Sequence, residues 1–207
     1  RTDPMILISV GGGQLGHDLL DTAVAASPIL AARLPEYHLQ VFTGPFIPIE
    51  RFAALTIAAE GQTNLIMRKF TTQFLTYMKQ AKLSVSLGGY NTTMNILRTG
   101  VNSMILPSNK DWEQTVRAEK LEKMGMLTML QSEDIQPQRF ADKVVRAIES
   151  ERIPKVSKSF DLDGAEKTRV AIGNLLVSID SRKDIFSVSL PPPIEIGADD
   201  AKSAYAD

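Results

Sequence analysis

Cysteine is absent from this sequence, which removes disulfide staples, thiolate nucleophiles and Cys-ligated zinc from consideration and suits a reducing compartment. Histidine is scarce too. His17 and His38 are the only ones, so no cluster of imidazoles exists to hold a metal. Neither sign of charge prevails: Lys and Arg number 23 against 24 Asp and Glu, for a net charge of -1, which is no electrostatic footprint for wrapping nucleic acid. Any anion the protein takes must be gripped locally. No apolar run approaches the roughly 20 residues of a membrane-spanning helix, and the first residues lack the charged-then-apolar layout of a signal peptide. The expected location is therefore cytoplasmic.

What is present suits a globular fold. The chain has 207 residues, 43% of them hydrophobic, enough to build a core without staples, since a chain of this size buries roughly 70% of its unfolded surface. Arg1-Thr2-Asp3-Pro4 lead into a buried-type strand with no initiator Met, so further chain is expected upstream. Six short apolar runs alternate with longer amphipathic stretches: Met5 to Val10, Leu39 to Thr43, Leu65 to Lys69, Leu83 to Leu87, Ser103 to Leu106 and Met126 to Leu130. Between them, Leu19, Ala23, Ala26 and Leu30 form one helical stripe, and Phe140, Val144, Ala147 and Ile148 form another. Crossovers of this length between parallel strands are right-handed almost without exception. The expectation is an α/β, Rossmann-like three-layer sandwich around a six-stranded parallel sheet. Beyond Ile148 the pattern changes. Ile172, Leu175, Leu176 and Ile179 mark one more helix, with Asp163 and Glu166 spaced as a capping box at its start. We expect a nucleotide-binding domain over residues 1–180 and a Pro-, Asp- and Ala-rich tail over 181–207.

Three segments carry the chemistry. The first, Gly11-Gly12-Gly13-Gln14-Leu15-Gly16-His17, lies directly between the first strand and the first helix. Glycines there let the backbone turn sharply, and the helix start offers amide donors and a positive dipole end to a phosphate. The loop also satisfies the G-x-G-x-x-G pattern of dinucleotide folds. Those folds need an acid at the end of the second strand, whereas this one ends Phe42-Thr43-Gly44 and the nearest acid, Glu36, precedes it. A Walker loop is excluded, because no Lys-Ser/Thr follows the glycines.

The second segment is Gly88-Gly89-Tyr90-Asn91-Thr92-Thr93-Met94-Asn95, again at a strand end and a helix start. Asn91 suits an N-cap, and Thr92 and Thr93 place hydroxyls in the first turn beside the amides. Asn95, one turn on, shares a face with Asn91 and is spaced to reach a ribose diol. Two such turns in one sheet would set two positive helix ends around a shared cleft, which suits a diphosphate. The third segment, Pro107-Ser108-Asn109-Lys110-Asp111-Trp112-Glu113-Gln114, opens the next helix, where Glu113 and Gln114 can hydrogen-bond a polyhydroxylated group.

Together these segments resemble a known family. The Gly-Gly-Tyr-Asn-Thr turn, Ile105-Leu106-Pro107, Glu113-Gln114 and Arg117-Ala118-Glu119-Lys120-Leu121 closely resemble the C-terminal domain of family 28 glycosyltransferases, the MurG-like group. The resemblance spans roughly Met5 to Ile148. It implies the donor half of an inverting GT-B enzyme, in which the C-terminal domain binds a nucleotide sugar, usually UDP-linked, without a required metal. It also implies an N-terminal acceptor-binding domain that supplies the general base. Position by position, it puts Gly12, Gly13 and Gln14 beside the donor phosphates and sugar, and Gly88, Gly89, Asn91, Thr92 and Thr93 in the phosphate-binding turn. Glu113 and Gln114 match the residues that hold sugar hydroxyls, and Phe70 matches a segment whose backbone reads the uracil edge. Asn95 stands where the family usually has Glu, so it offers the ribose one neutral acceptor instead of a carboxylate. MurG-like relatives act on lipid-linked and small-molecule acceptors alike, which leaves peripheral membrane contact open.

Other features are weaker. Asp161-Leu162-Asp163 mimics a metal-holding acidic pair but lies beyond the last strand, where helix capping explains it better. His17 fits either assistance to a departing phosphate or acceptor, or a solvated helix start, and Trp112 fits a rim contact or the core, the core being preferred. Two further readings remain: a non-catalytic glycosyltransferase-like module for nucleotide or protein binding, and a nicotinamide-dependent oxidoreductase.

Overall fold

The structure of the protein, a computed structural model, describes residues 3–108, 111–150 and 164–183, the side chains of 179–183 excepted. By its internal contacts the chain divides into two units, Arg1–Leu162 and Asp163–Asp207. In the first unit the strands are β1 (Met5–Ser9), β2 (His38–Phe42), β3 (Leu65–Arg68), β4 (Leu83–Leu87), β5 (Ser103–Leu106) and β6 (Thr128–Met129). Its helices are α1 (His17–Arg33), α2 (Ile49–Ala58), α3 (Phe74–Gln80), α4 (Tyr90–Thr99), α5 (Trp112–Lys123) and α6 (Pro137–Glu149). The second unit contributes α7 (Gly164–Lys183).

All strand pairs are parallel, and the order is β3-β2-β1-β4-β5-β6. Chain direction across the sheet therefore reverses between β1 and β4, and the loops that leave these two strands diverge to opposite faces. A crevice opens there at the C-terminal strand ends. The expected doubly wound architecture is present.

The two faces of the sheet differ in chemistry. On one, Ile6, Ile8, Leu39, Val41, Leu83, Val85, Met104 and Leu106 pack with Leu19, Ala23, Ala26 and Leu30 of α1 and Phe140 and Val144 of α6. Phe140 is fully buried, and truncating such a residue to Ala costs about 3–5 kcal/mol. The Arg33–Asp142 ion pair ties these two helices together at their rim, and the guanidinium holds the Asp142 carboxyl below its usual range. The other face presents Met5, Leu7, Phe42 and Ile105 to Met78 of α3, Ile96 and Leu97 of α4 and Leu121 of α5. It also buries Ser9, Gln40, Ser84, Ser86 and Ser103.

Several expectations needed adjustment. The sixth strand is Thr128–Met129 alone, because the Met126 N–H donates to Leu121 O at the end of α5 and so leaves the ladder. Two helices, α2 and α3, go beyond the two stripes read in the sequence; each buries one side chain, Leu55 and Met78 respectively. The expected final helix is α7, whose Ile172, Leu175 and Leu176 are exposed. Glu166 pairs with Arg169 three residues on, at 2.5 Å; α7 runs three residues into the expected tail, to Lys183, and Asp163, the expected capping partner, lies outside the described residues, as does the tail beyond Lys183.

The first glycine turn is built by close approach of two loops. Gly13 (φ +90°) and Gly44 (φ +89°) both occupy the left-handed region, and a Cβ on Gly44 would run into the backbone of Gly12 and Gly13. Phe46 N–H then donates to Gly12 O at 2.9 Å, which locks the β2–α2 loop beneath the turn. Gly61 has a similar φ of +79° but open space around it. Gly61→Ala should therefore cost only the ~1–2 kcal/mol of a left-handed residue, while Gly44→Ala should cost clearly more, because backbone atoms must move. Urea unfolding of both variants measures the difference; equal losses would show that the interlock adds nothing.

Candidate functional site

A cleft of about 880 Å³ lies over the C-terminal ends of the central strands. It gathers the three segments singled out in the sequence: Gly11 to Gly16 after β1, Leu87, Gly89 and Thr92 at the β4–α4 turn, and Pro107, Ser108, Asp111 and Gln114 at the β5–α5 turn. Ser132 and Ile135, after β6, complete the wall; nothing in the sequence pattern marked them, nor Asp18. Among the described residues no Lys or Arg lines the cleft. Positive potential there comes from backbone amides and helix ends.

The three helix starts are not equivalent. At α1 the N-cap is Gly16, Asp18 stands in the first turn, and its Oδ1 accepts from Leu19 N–H at 2.9 Å. At α5 the Asp111 side chain caps the helix by accepting from Glu113 N–H and Gln114 N–H, at 3.0 and 3.3 Å. At α4 there is no acid in the first turn and no side-chain cap. A carboxylate at a helix N-terminus already neutralises part of the dipole's positive end, so α4 offers the site least compromised for an exogenous anion.

Residue by residue, Gly12, Gly13, Gln14, Gly89, Thr92 and Gln114 line the cleft. Gly88 lies beneath it: a Cβ there would meet Ile105, Pro107 and the Gln114 carboxamide at 3.1–3.2 Å, so β5 and α5 pack flat against the turn. Asn91 is not the N-cap. Gly89 takes that role (φ -58°, ψ 146°), which moves Asn91 into the first helical turn with its side chain exposed. Thr93 is buried, and its hydroxyl donates to Gly89 O at 3.0 Å, bracing the turn from inside.

Gln114 is held on two sides. Its Oε1 accepts from Ser108 N–H at 3.2 Å, and its Nε2 donates to Asp111 Oδ2 at 2.9 Å, leaving one N–H and one lone pair for the cleft. Glu113 points away from the cleft and pairs with Arg117 at 2.5 Å. Asn95 lies farther along α4, off the cleft lining and half-buried. Phe70 follows β3, the edge strand two places from β1; it is 60% exposed and also off the lining.

His17, left open in the sequence, turns its Nε2 to Gly13 O at 2.9 Å and so braces the glycine loop. Trp112 corrects an expectation. It is 79% exposed, at the rim of a second, apolar hollow of about 400 Å³ between α4 and α5 that includes Met94, Leu97, Val116 and Met124. As the first residue of a capped helix, with Gln114 and Ala118 turned inward, it falls on the outer side of α5. Asn109, Lys110, Asp161 and Asp163 lie outside the described residues. No helix among the described residues is long and apolar enough to cross a membrane.

Comparison with known proteins agrees with this geometry. An uncharacterized glycosyltransferase of Methanopyrus kandleri is 25% identical over 174 residues, which cover 83% of this chain and 45% of that protein. Among solved structures, MurG of Acinetobacter baumannii superposes with a TM-score of 0.64 at 18% identity, over 83% of this chain and 50% of that one. The glycosyltransferase VinC, crystallised with dTDP, gives 0.56 at 19% identity, over 74% of this chain and 35% of that one. At such identities the structures show the shared fold, that of a GT-B half. The chain spans about half the length, or less, of these relatives. Residues 5–168 match the Glycosyltransferase family 28 C-terminal domain, and the chain belongs to that family.

Proposed function

We propose that this chain is the donor-binding half of an inverting GT-B glycosyltransferase that uses a UDP-linked sugar. The observation that carries the reading is the single cleft uniting the three strand-to-helix turns, with the acid-free start of α4 at its centre. In this reading the diphosphate accepts hydrogen bonds from the amides of Gly89 and the first turn of α4 and from the Thr92 hydroxyl. Gly12, Gly13 and Gln14 face the phosphates and sugar from the other wall, and Gln114 gives its remaining N–H to a sugar hydroxyl. Transfer breaks the bond between the anomeric carbon and the phosphate oxygen as the acceptor's hydroxyl oxygen attacks the opposite side of that carbon. The charge that develops on the departing UDP is met by preorganised amides and the helix dipole, with no metal required. The acceptor's proton passes to a general base. Asp18 and Asp111, the acidic side chains lining the cleft among the described residues, are both already accepting from helix amides, so we assign the base to an N-terminal, acceptor-binding half. A cysteine-free chain without a described membrane-spanning helix fits action in the cytoplasm.

A second reading, a nucleotide-binding module without turnover, draws on Asn95 in place of the family's usual Glu and on its position off the cleft lining. Affinity for the ribose should then be low. Calorimetry with UDP tests the nucleotide binding that both readings require. The chain should bind UDP weakly, and Thr92→Ala should weaken binding by about 3- to 10-fold, the value of one net hydrogen bond. Absence of heat at millimolar UDP would sink the donor assignment. Asn95→Glu should tighten UDP at least several-fold by restoring a charged acceptor; an unchanged affinity would remove Asn95 from the ribose contact. Chelation with EDTA should leave UDP affinity as it was, and a chelator-sensitive affinity would overturn the metal-free account.

A further inference from the structure

We infer that Arg117 is the positioning residue of the phosphate-binding turn: it fixes the Gly88–Gly89 peptide plane and strengthens the Gly89 N–H as a donor, in a cleft that no cationic side chain lines among the described residues. The inference rests on the donor reading above and adds to it a residue that never touches the ligand.

The side chain of Arg117 is only 16% exposed, and its guanidinium is tied to three points. Nη2 donates to Gly88 O at 3.1 Å, Nη1 donates to Glu113 Oε1 at 2.5 Å, and Cζ lies 5.5 Å from the centroid of the Tyr90 ring. These partners sit at the end of β4, the first turn of α5 and the first residue of α4. A trans peptide holds its C=O and N–H antiparallel. With Gly88 O drawn toward Arg117, the Gly89 N–H is directed away from the guanidinium, and Gly89 is the member of this peptide that lines the cleft. Gly89 has no side chain to restrain it, so the peptide would be free to flip without a fixed partner for its carbonyl. A cation on the carbonyl also polarises the peptide and strengthens its N–H as a donor.

Stability alone accounts poorly for the residue. Its Nε–H is buried with no acceptor among the described residues, a state that costs free energy, and a long apolar side chain would fill the same space without that penalty. Glu113 gains a role here. It faces away from the cleft and holds the guanidinium at the correct height.

The test uses the full chain and three readouts: UDP affinity by calorimetry, the Gly89 amide resonance during UDP titration, and the thermal midpoint. Arg117→Met keeps the bulk and removes charge and donors. We expect it to weaken UDP about tenfold or more, to abolish most of the UDP-induced shift of the Gly89 amide, and to leave the thermal midpoint within a few degrees. Arg117→Lys keeps the charge without the fork, and should fall between wild type and Met in both affinity and shift. Arg98→Met, at the far end of α4, removes the same charge and should stay within twofold of wild type. If Arg117→Met binds UDP as wild type does, or lowers affinity only in step with a large fall in thermal midpoint while the Gly89 shift persists, the inference is overturned. Should the Met variant fail to fold, a Lys variant with full affinity and an unaltered Gly89 shift overturns it equally. A wild-type chain that takes up no UDP refutes the donor reading itself, and this inference with it.

Discussion

Every α-helix leaves the amides of its first turn without intrahelical acceptors, and at α4 this protein leaves them without side-chain acceptors as well. Thr93 N–H and its hydroxyl both close back onto Gly89 O, so the helix begins firmly while the amides before it stay free. The surroundings serve that arrangement. Gly88 lets Pro107 and Gln114 pack flat against the turn, Thr93 braces it from within, and Arg117 holds it from behind. The neighbouring helices solve the same problem differently, α1 with Asp18 and α5 with Asp111. Under the donor reading the start of α4, between an α1 that carries Asp18 in its first turn and an α5 capped by Asp111, is the anion seat of the cleft.

The sheet decides where that seat falls. Because β4 pairs with β1, outside the β1-β2-β3 run, the chain leaves β1 toward one face and β4 toward the other, and no loop fills the space between. The strand residues that face α1 and α6 are apolar, whereas the α3, α4 and α5 face buries a group of serines and Gln40 under its helices. The first face is where most of the hydrophobic stabilisation resides. The second carries α4 and α5, whose starts line the cleft, and the Arg117 guanidinium behind the Gly88–Gly89 peptide.

Much of this was legible in the sequence, for physical reasons. Six strands, four of them buried, read as short apolar runs, and the α1 and α6 stripes were visible because each helix buries several side chains at regular spacing. Even Leu83-Ser84-Val85-Ser86-Leu87, whose alternation suits a half-exposed strand, kept its place between turn signals and is a central strand. The helices α2 and α3 escaped because a helix that buries one residue leaves no stripe to read. Among residues that line the cleft, the glycine turns stood out by their place at strand ends, and Gln114 by its place in the opening turn of a helix and by the family resemblance. Ser132 and Ile135 were not, since a residue that enters a cleft from a neighbouring loop carries no local signature. Trp112 misled because its aromatic character spoke for burial, while its position at the first residue of α5 governs instead.

The pair Glu113-Gln114 shows how helical geometry divides what a sequence motif joins. Successive residues on a helix point about 100° apart, and here only Gln114 lines the cleft while Glu113 turns to Arg117. Gln114 is the inward one, and two of its hydrogen-bonding positions are already spent on Ser108 N–H and Asp111. It can therefore read one sugar hydroxyl well, but it lacks the capacity to read several. Under the donor reading, the remaining hydroxyls must be met by the amides of Gly11 to Gly13 or by groups approaching from across the open side of the cleft. Discrimination among sugars would then reside largely outside α5, and Glu113 would influence it only through the Arg117 guanidinium and the peptide plane that guanidinium holds.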